Sequence, residues 1–459
     1  LKKQCRVLGV AVNILLNLAE DVQVERKMVK RKVITFLVPL LERNDPDLVM
    51  LATAFLRKLS IFEENKNMMA ESDIVSLLTR LVTMAIPDPL LMVCSVLRLL
   101  FNLSFDRSLV HKMSEHTSLL NTLVGLLKKA PFRAVVLRLL YHISQDDRAK
   151  AAFADTDVMS LVLRLIINFP QTLVAPELMA LAINLTFNPG NVERVVKADG
   201  VKHLVSRVLK TNDALLMKMV RNIAAWSRSQ QDDLDDDETY SQRGLWAPFV
   251  RDMYQMTRVD DANLLVEVFG TLANLTTPSV VCACGHDTIP KLTLPAGLVT
   301  TVQHQLVPSY AEDDIVLETI ILVGTWAEDK AVPELFTEGG CRVVCLLGDI
   351  LEAKGGDPEF CTQTLFTLLK LLETQHKDTL EDIVYGTEAV KVMCDMITSK
   401  DAEVIKLAQR CLDIVIDYDR YEGQRGIWRE VQARRFKLYN REWLESTAED
   451  GGSDSWLDD

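Results

Sequence analysis

One apolar helical pattern recurs along this chain at a nearly fixed interval, and that periodicity constrains the fold more than any other feature. Each copy carries a polar anchor near its end. Asn17 sits in ILLNLAED, Asn102 in LRLLFNLSFD, Asn184 in LAINLTFN, Asn222 in MVRNIA and Asn274 in GTLANLT. Other copies place Lys58 in FLRKLSIF, His142 in LRLLYHIS, Thr325 in LVGTWAE, Lys370 in LLKLLE and Asp413 in CLDIVID. Successive anchors lie 41, 44, 40, 42, 38, 52, 51, 45 and 43 residues apart. Helix breakers form a second ladder: Asp45-Pro46, Pro87-Asp88-Pro89, Pro131, Pro176, Asn212-Asp213, Asp260-Asp261, Asp313-Asp314, Asp357-Pro358 and Lys400-Asp401. The last residue of each group stands 8–13 residues before an anchor. Such residues start helices by capping them or by lacking an N–H.

Between the ladders the apolar residues keep helical spacing. Val158, Leu161, Val162, Leu165, Ile166 and Phe169 follow an i, i+3, i+4, i+7, i+8, i+11 pattern. One such unit cannot bury its stripe alone, so the copies must stack. A period near 42 residues with two or three helices per unit belongs to armadillo and HEAT arrays. The Asn-Leu-Ser/Thr/Ala ending of the long helix, followed by a glycine turn such as Asp199-Gly200, favours armadillo. Sparse Gly (19), Pro (15) and aromatic residues (6%) set an all-β sandwich or barrel aside, and 48% hydrophobic residues supply a large core. The expected fold is all-α, an armadillo-repeat right-handed superhelical solenoid of about ten repeats over residues 1–425. A capping helix over 426–445 is expected to close it. The chain opens at Leu1 within a helical pattern, so the first repeat is expected to be incomplete.

Two spacings are long. Asp232 to Glu238 carries six acids in seven residues, and repulsion at that density predicts an exposed loop over 229–243. Pro278, Pro290 and Pro295 predict an irregular connector over 278–297. Residues 446–459 hold acids without Lys or Arg and read as a disordered tail. The net charge of −13 is unevenly spread: residues 1–231 carry 31 basic and 21 acidic side chains, and the remainder 20 and 43. The first half is suited to an acidic partner, while the acidic whole makes nucleic acid an unexpected one. Nine scattered cysteines read as reduced thiols of a cytoplasmic protein. No apolar run is long enough for membrane insertion.

Catalytic signatures are missing. No phosphate loop, dinucleotide-binding glycine turn, HExxH pair or nucleophile elbow occurs. Cys282-Ala-Cys284-Gly-His286 offers three ligands at most, without the second pair that zinc sites use, and reads as a loop with free thiols. Neither catalysis nor a metal or cofactor is expected.

In an armadillo array the third helix of each repeat lines a concave groove. An anchor Asn there offers a donor and an acceptor to the backbone of a bound segment. The residue four places earlier shares its helix face. These pairs are Arg98 with Asn102, Arg138 with His142, and Lys218 with Asn222, and Lys58 holds an anchor place itself. With Asn184 and Asn274 they make a candidate partner-binding groove of basic character; solvated surface charge is the plain alternative. Armadillo adaptors of nuclear import carry Trp four residues before each Asn. Here those places hold Asn13, Arg98, Ala180, Lys218 and Gly270, and the cations would repel a cationic signal. The cluster Arg26, Lys27, Lys30, Arg31 and Lys32 reads as the solvent face of a helix. Near the C-terminus Trp428, Val431, Phe436, Tyr439 and Trp443 form an aromatic stripe with Arg429, Arg434, Arg435, Lys437 and Arg441 between them. It reads as a cap over the last apolar face or, alternatively, as a partner-binding helix.

Several strings are more specific than the repeat. They include FLRKLSIFEENKN (55–67), LRLLFNLSFD (97–106), YHISQDDR (141–148), EDDIVLETIILVGT (312–325), CLDIVIDYD (411–419) and RFKLYNREWLE (435–445). On these the chain resembles the kinesin-associated proteins, the armadillo accessory subunits of heterotrimeric kinesin-II, in register over essentially its whole length. The resemblance implies a non-catalytic adaptor that binds the C-terminal tails of the two motor chains. It implies a link from them to cargo or cargo-adaptor proteins, including intraflagellar transport assemblies and organelles, moved along microtubules. The implied place of action is cytoplasmic and cytoskeletal, including the cilium or flagellum. The 232–238 acids and the 278–297 connector depart from the family pattern. A catenin-like signalling or junction scaffold binding acidic peptides would fit the basic groove equally, but not these strings.

Overall fold

The computed structural model describes residues 2–83, 89–230, 236–275, 296–327, 336, 342–423 and 425–450. Among them all regular structure is helical. The chain is an all-α armadillo-repeat protein, and it gathers into two compact units, Leu1–Ile223 and Ala224–Asp459.

In the first unit the long third helices Pro46–Leu59, Pro89–Leu103, Ala130–Ile143 and Pro176–Leu185 each pack against the next. The breaker ladder starts them. Asp45 accepts the Leu48 N–H ahead of Pro46, and Asp213 accepts those of Leu215 and Leu216. Pro131 and Pro176 stand in first turns, where a missing N–H costs nothing. In the second unit the helices Ala262–Leu275, Asp313–Trp326, Pro358–Glu373 and Ala402–Tyr418 follow one another in the same way. Asp261, Asp357 and Asp401 cap N-termini there. A separate set, Asp106, Asp146 and Asn188, caps the first helices of repeats.

Neighbours on both sides explain why third helices are apolar around most of their circumference. Val96, Leu97, Leu99, Leu100 and Leu103 are all fully buried, each burial contributing about 2 kcal/mol. The glycine turn has a steric cause. Asp199 is left-handed with φ 53°, and a Cβ on Gly200 would lie 2.8 Å from Leu163 Cδ2. The first helix, Lys2–Leu18, leaves Val7, Val10 and Ile14 exposed along one face.

The structure corrects four local expectations. Of the 229–243 stretch, 229 and 236–243 are helical, since the helix Ala214–Ser229 ends there and another runs Asp236–Met256. Acids are favoured in a first helical turn, where N–H groups concentrate positive charge, and the repulsion argument left that preference out. Residues 231–235 lie outside the described residues. So do 278–295 of the expected connector, with Cys282, Cys284 and His286, whereas Ala296 and Gly297 already open the helix Ala296–Gln305. Phe169 is not on the helix Val158–Ile167, which stops two residues earlier; Pro170 disfavours helical backbone at the residue before it. The C-terminal helix runs Ile427–Asp450, so the start of the expected tail is helical, and 451–459 lie outside the described residues.

Candidate partner-binding surface

Third helices of the first unit hold the anchors side by side, and Asn102, His142, Asn184 and Asn222 are each tied to the repeat before them. The Asn102 amide donates to Arg57 O at 3.1 Å and to Ser60 Oγ at 2.9 Å. His142 Nδ1 lies 3.0 Å from Ser104 Oγ. Asn184 donates to Ser144 Oγ at 3.1 Å. Asn222 donates to Thr186 Oγ1 at 3.0 Å and to Ile183 O at 3.4 Å. The partner in every rung is the Ser or Thr at the end of the preceding third helix. Those hydroxyls in turn donate to carbonyls of their own helices, Arg57, Phe101, Tyr141 and Ile183. The ladder therefore satisfies helix C-termini and ties successive repeats together.

Asn102 and Asn222 each spend their amide donors on two acceptors, which leaves the side-chain carbonyl oxygen for a ligand. From sequence alone, both groups of each Asn were assigned to a bound segment. The missed signal was the Ser or Thr two residues after Lys58, Asn102, His142 and Asn184, which served as a family mark and not as a bonding partner. Asn274, in the second unit, donates to Gly270 O of its own helix at 2.8 Å. Asn102→Ala removes one rung, and the expected loss is about 1–2 kcal/mol of stability. Urea unfolding reads it, and an unchanged midpoint would show that the rung holds nothing.

Arg98, Arg138 and Lys218 are exposed, one turn before their anchors, and Lys58 is half-buried. Arg138 lies 3.6 Å from Glu177 of the next third helix. That exposed pair offsets only part of its charge. His142 is ringed by Phe101, Phe105 and Tyr141, with centroids 5.0, 4.5 and 5.7 Å away. Burial lowers its pKa, so at neutral pH it adds a polar edge and no charge.

At the other end, the helix Ile427–Asp450 rests on Ala402–Tyr418 and Ala389–Met396. Asp419 fixes its entry. This carboxylate is wholly buried and accepts from Tyr385 OH at 2.6 Å, Arg425 N–H at 3.0 Å and Trp428 N–H at 2.9 Å. Burial acts to raise its pKa, but these donors outweigh burial and hold it below the usual carboxylate range. Trp428 is half-buried, with the Arg420 and Arg429 guanidiniums 5.5 and 5.3 Å from its ring. The aromatic stripe divides. Val431 is buried, with Arg434, Arg435 and Leu438 half-buried beside it. Arg435 reaches Asp413 at 2.8 Å and Gln409 O at 3.0 Å. Phe436 and Tyr439 are 67% and 54% exposed. Arginines with long apolar stems thus take packing positions expected for rings. The Trp443 side chain lies outside the described residues.

Among the described residues no His, Cys, Asp and Glu group is placed to hold a metal, and no helix is long and apolar enough to cross a membrane. Burial pushes the Cys394 thiol up to about 11 and Cys411 to about 12, so both stay protonated.

A family model described as kinesin-associated protein matches residues 1–456. Among solved structures, the crystal structure of an engineered protein superposes with a TM-score of 0.64 at 18% identity, covering 89% of this chain and 94% of that one. That likeness is one of fold. Another, from work on a phosphorylation switch controlling the interaction between cadherin and beta-catenin, has a TM-score of 0.45 at 14% identity, covering 90% of this chain and 88% of that one.

Proposed function

The chain belongs to the kinesin-associated protein family, and from that membership we propose that it is the non-catalytic adaptor of heterotrimeric kinesin-II. In this reading it holds the C-terminal tails of the two motor chains and links them to cargo or cargo-adaptor proteins on microtubules, including those of cilia or flagella. The observation that carries the reading is the match along nearly the whole chain.

The exposed Arg98, Arg138 and Lys218 support a partner segment that is acidic, since cations spaced along successive repeats favour an extended anionic chain. Anchor amides engaged inside the array support recognition by charge and shape more than by backbone pairing. Size-exclusion chromatography with the two motor tails, each alone and then paired, tests the reading. Co-elution with the pair is expected. Separate elution of chain and paired tails would reject the adaptor role.

A further inference from the structure

The repeat Asp147–Leu185 has a long connection between its second and third helices. Its second helix ends at Ile167 and its third begins at Pro176. In the preceding repeat only Lys128 and Lys129 separate the corresponding helices. The longer connection, Asn168 to Ala175, is clamped by the next repeat. Arg207 Nη1 donates to Ile167 O at 3.3 Å and Phe169 O at 3.2 Å, and Nη2 to Gln171 O at 2.7 Å and Thr172 O at 3.4 Å. Asp213 Oδ2 accepts the Val174 N–H at 3.1 Å. A surface connection ordinarily leaves such groups to water, so this one is built as a fixed wall.

Between that wall and the third helix Ala130–Ile143 opens a pocket of about 720 Å³. Leu137, Leu165, Phe169 and Leu178 give it an apolar lining. Arg133, Arg138 and Arg164, all exposed, give it a cationic rim, and Glu177 is the one acid among its lining residues. The size suits a ligand site. An apolar lining selects an apolar group, and guanidiniums select carboxylates through paired N–H donors. Glu177 reaches one rim arginine, Arg138, in an exposed pair, so cationic charge remains in excess.

We propose that this pocket docks a segment of a partner polypeptide in which a large apolar side chain is flanked by Asp or Glu. The apolar group enters among Leu137, Leu165 and Phe169, and the flanking carboxylates pair with Arg133, Arg138 and Arg164. The site rests on the adaptor reading for its role in the groove, but its ligand chemistry does not depend on which partner supplies the segment.

The probe is a fluorescein-labelled peptide, Gly-Asp-Glu-Phe-Asp-Glu-Gly, with one control peptide replacing Phe by Ser and another replacing the acids by Lys. Fluorescence anisotropy is followed with the intact chain and with its Ala134→Trp and Arg164→Glu variants. Ala134 is exposed and lines the pocket, so Trp there fills the space without disturbing the core. Circular dichroism confirms folding of each variant, and Arg164→Glu carries the test if Ala134→Trp fails to fold. Saturable binding of the Phe peptide is expected, weakened about tenfold or more by either control and by either variant. Absence of saturation, equal binding of the Ser or Lys peptide, or indifference to Arg164→Glu would overturn the proposal. Self-association of the intact chain that Ala134→Trp abolishes would also overturn it, by placing a second copy in the pocket. The peptide assay contains no motor chain. Failure of the peptide with motor-tail co-elution intact therefore rejects the pocket alone, and the converse rejects the adaptor role alone.

Discussion

Asp419→Ala is expected to release the C-terminal helix from the last repeat at a cost of about 3 kcal/mol. The substitution leaves Tyr385 OH and the N–H groups of Arg425 and Trp428 without their acceptor. A buried donor left unpaired costs about 1–3 kcal/mol, and partial hydration of the exposed ends keeps the total near the lower bound. Arg425, 4.1 Å over the Tyr385 ring, loses its footing with them. The same carboxylate confers a pH dependence. Its folded pKa is depressed below the ordinary value near 3.9, so its stabilisation is present above that pH and is lost as pH falls through the folded value. Thermal unfolding and hydrogen exchange over residues 427–450 measure the effect. Unchanged protection in the Ala variant would mean that Val431 and the arginines hold the helix unaided.

Arg98→Glu, Arg138→Glu and Lys218→Glu introduced together are expected to weaken binding of the paired motor tails about 100-fold, or about 2.7 kcal/mol. Arg138→Glu also sets a second acid beside Glu177, so the local field reverses and does not merely vanish. All three side chains are exposed, so each change should leave stability within about 0.5 kcal/mol. Calorimetric affinity with circular dichroism separates the two effects. Unaltered affinity would reduce these residues to solvated surface charge.

The repeat architecture was legible because two one-dimensional signals coincide. Leu-rich stripes mark what is buried, and Asp or Pro marks where a helix begins; Asp45, Pro131, Pro176 and Asp357 all stand where the spacing put them. Bonds between residues some forty positions apart were not legible. Nothing in a stripe says that Asn102 meets Ser60, or that Arg207 gathers the carbonyls of another repeat. Phe169 fell on the apolar period and yet lies beyond the helix, because Pro170 acts on backbone that a hydrophobicity pattern does not weigh. The C-terminal stripe misled in a related way. Aromatic spacing marked a face, but Arg434 and Arg435 win the packing positions through partners on the repeats beneath, Asp395 and Asp413, and leave Phe436 and Tyr439 exposed.

The decisive measurement is a calorimetric titration of the paired motor tails into the intact chain, repeated as salt is raised. Saturable binding that weakens steadily with salt is the expected result, since exposed charge pairs are screened over about 10 Å at ordinary ionic strength. Absence of binding at the lowest salt would contradict the adaptor role, and an affinity flat across the series would remove the basic surface from it.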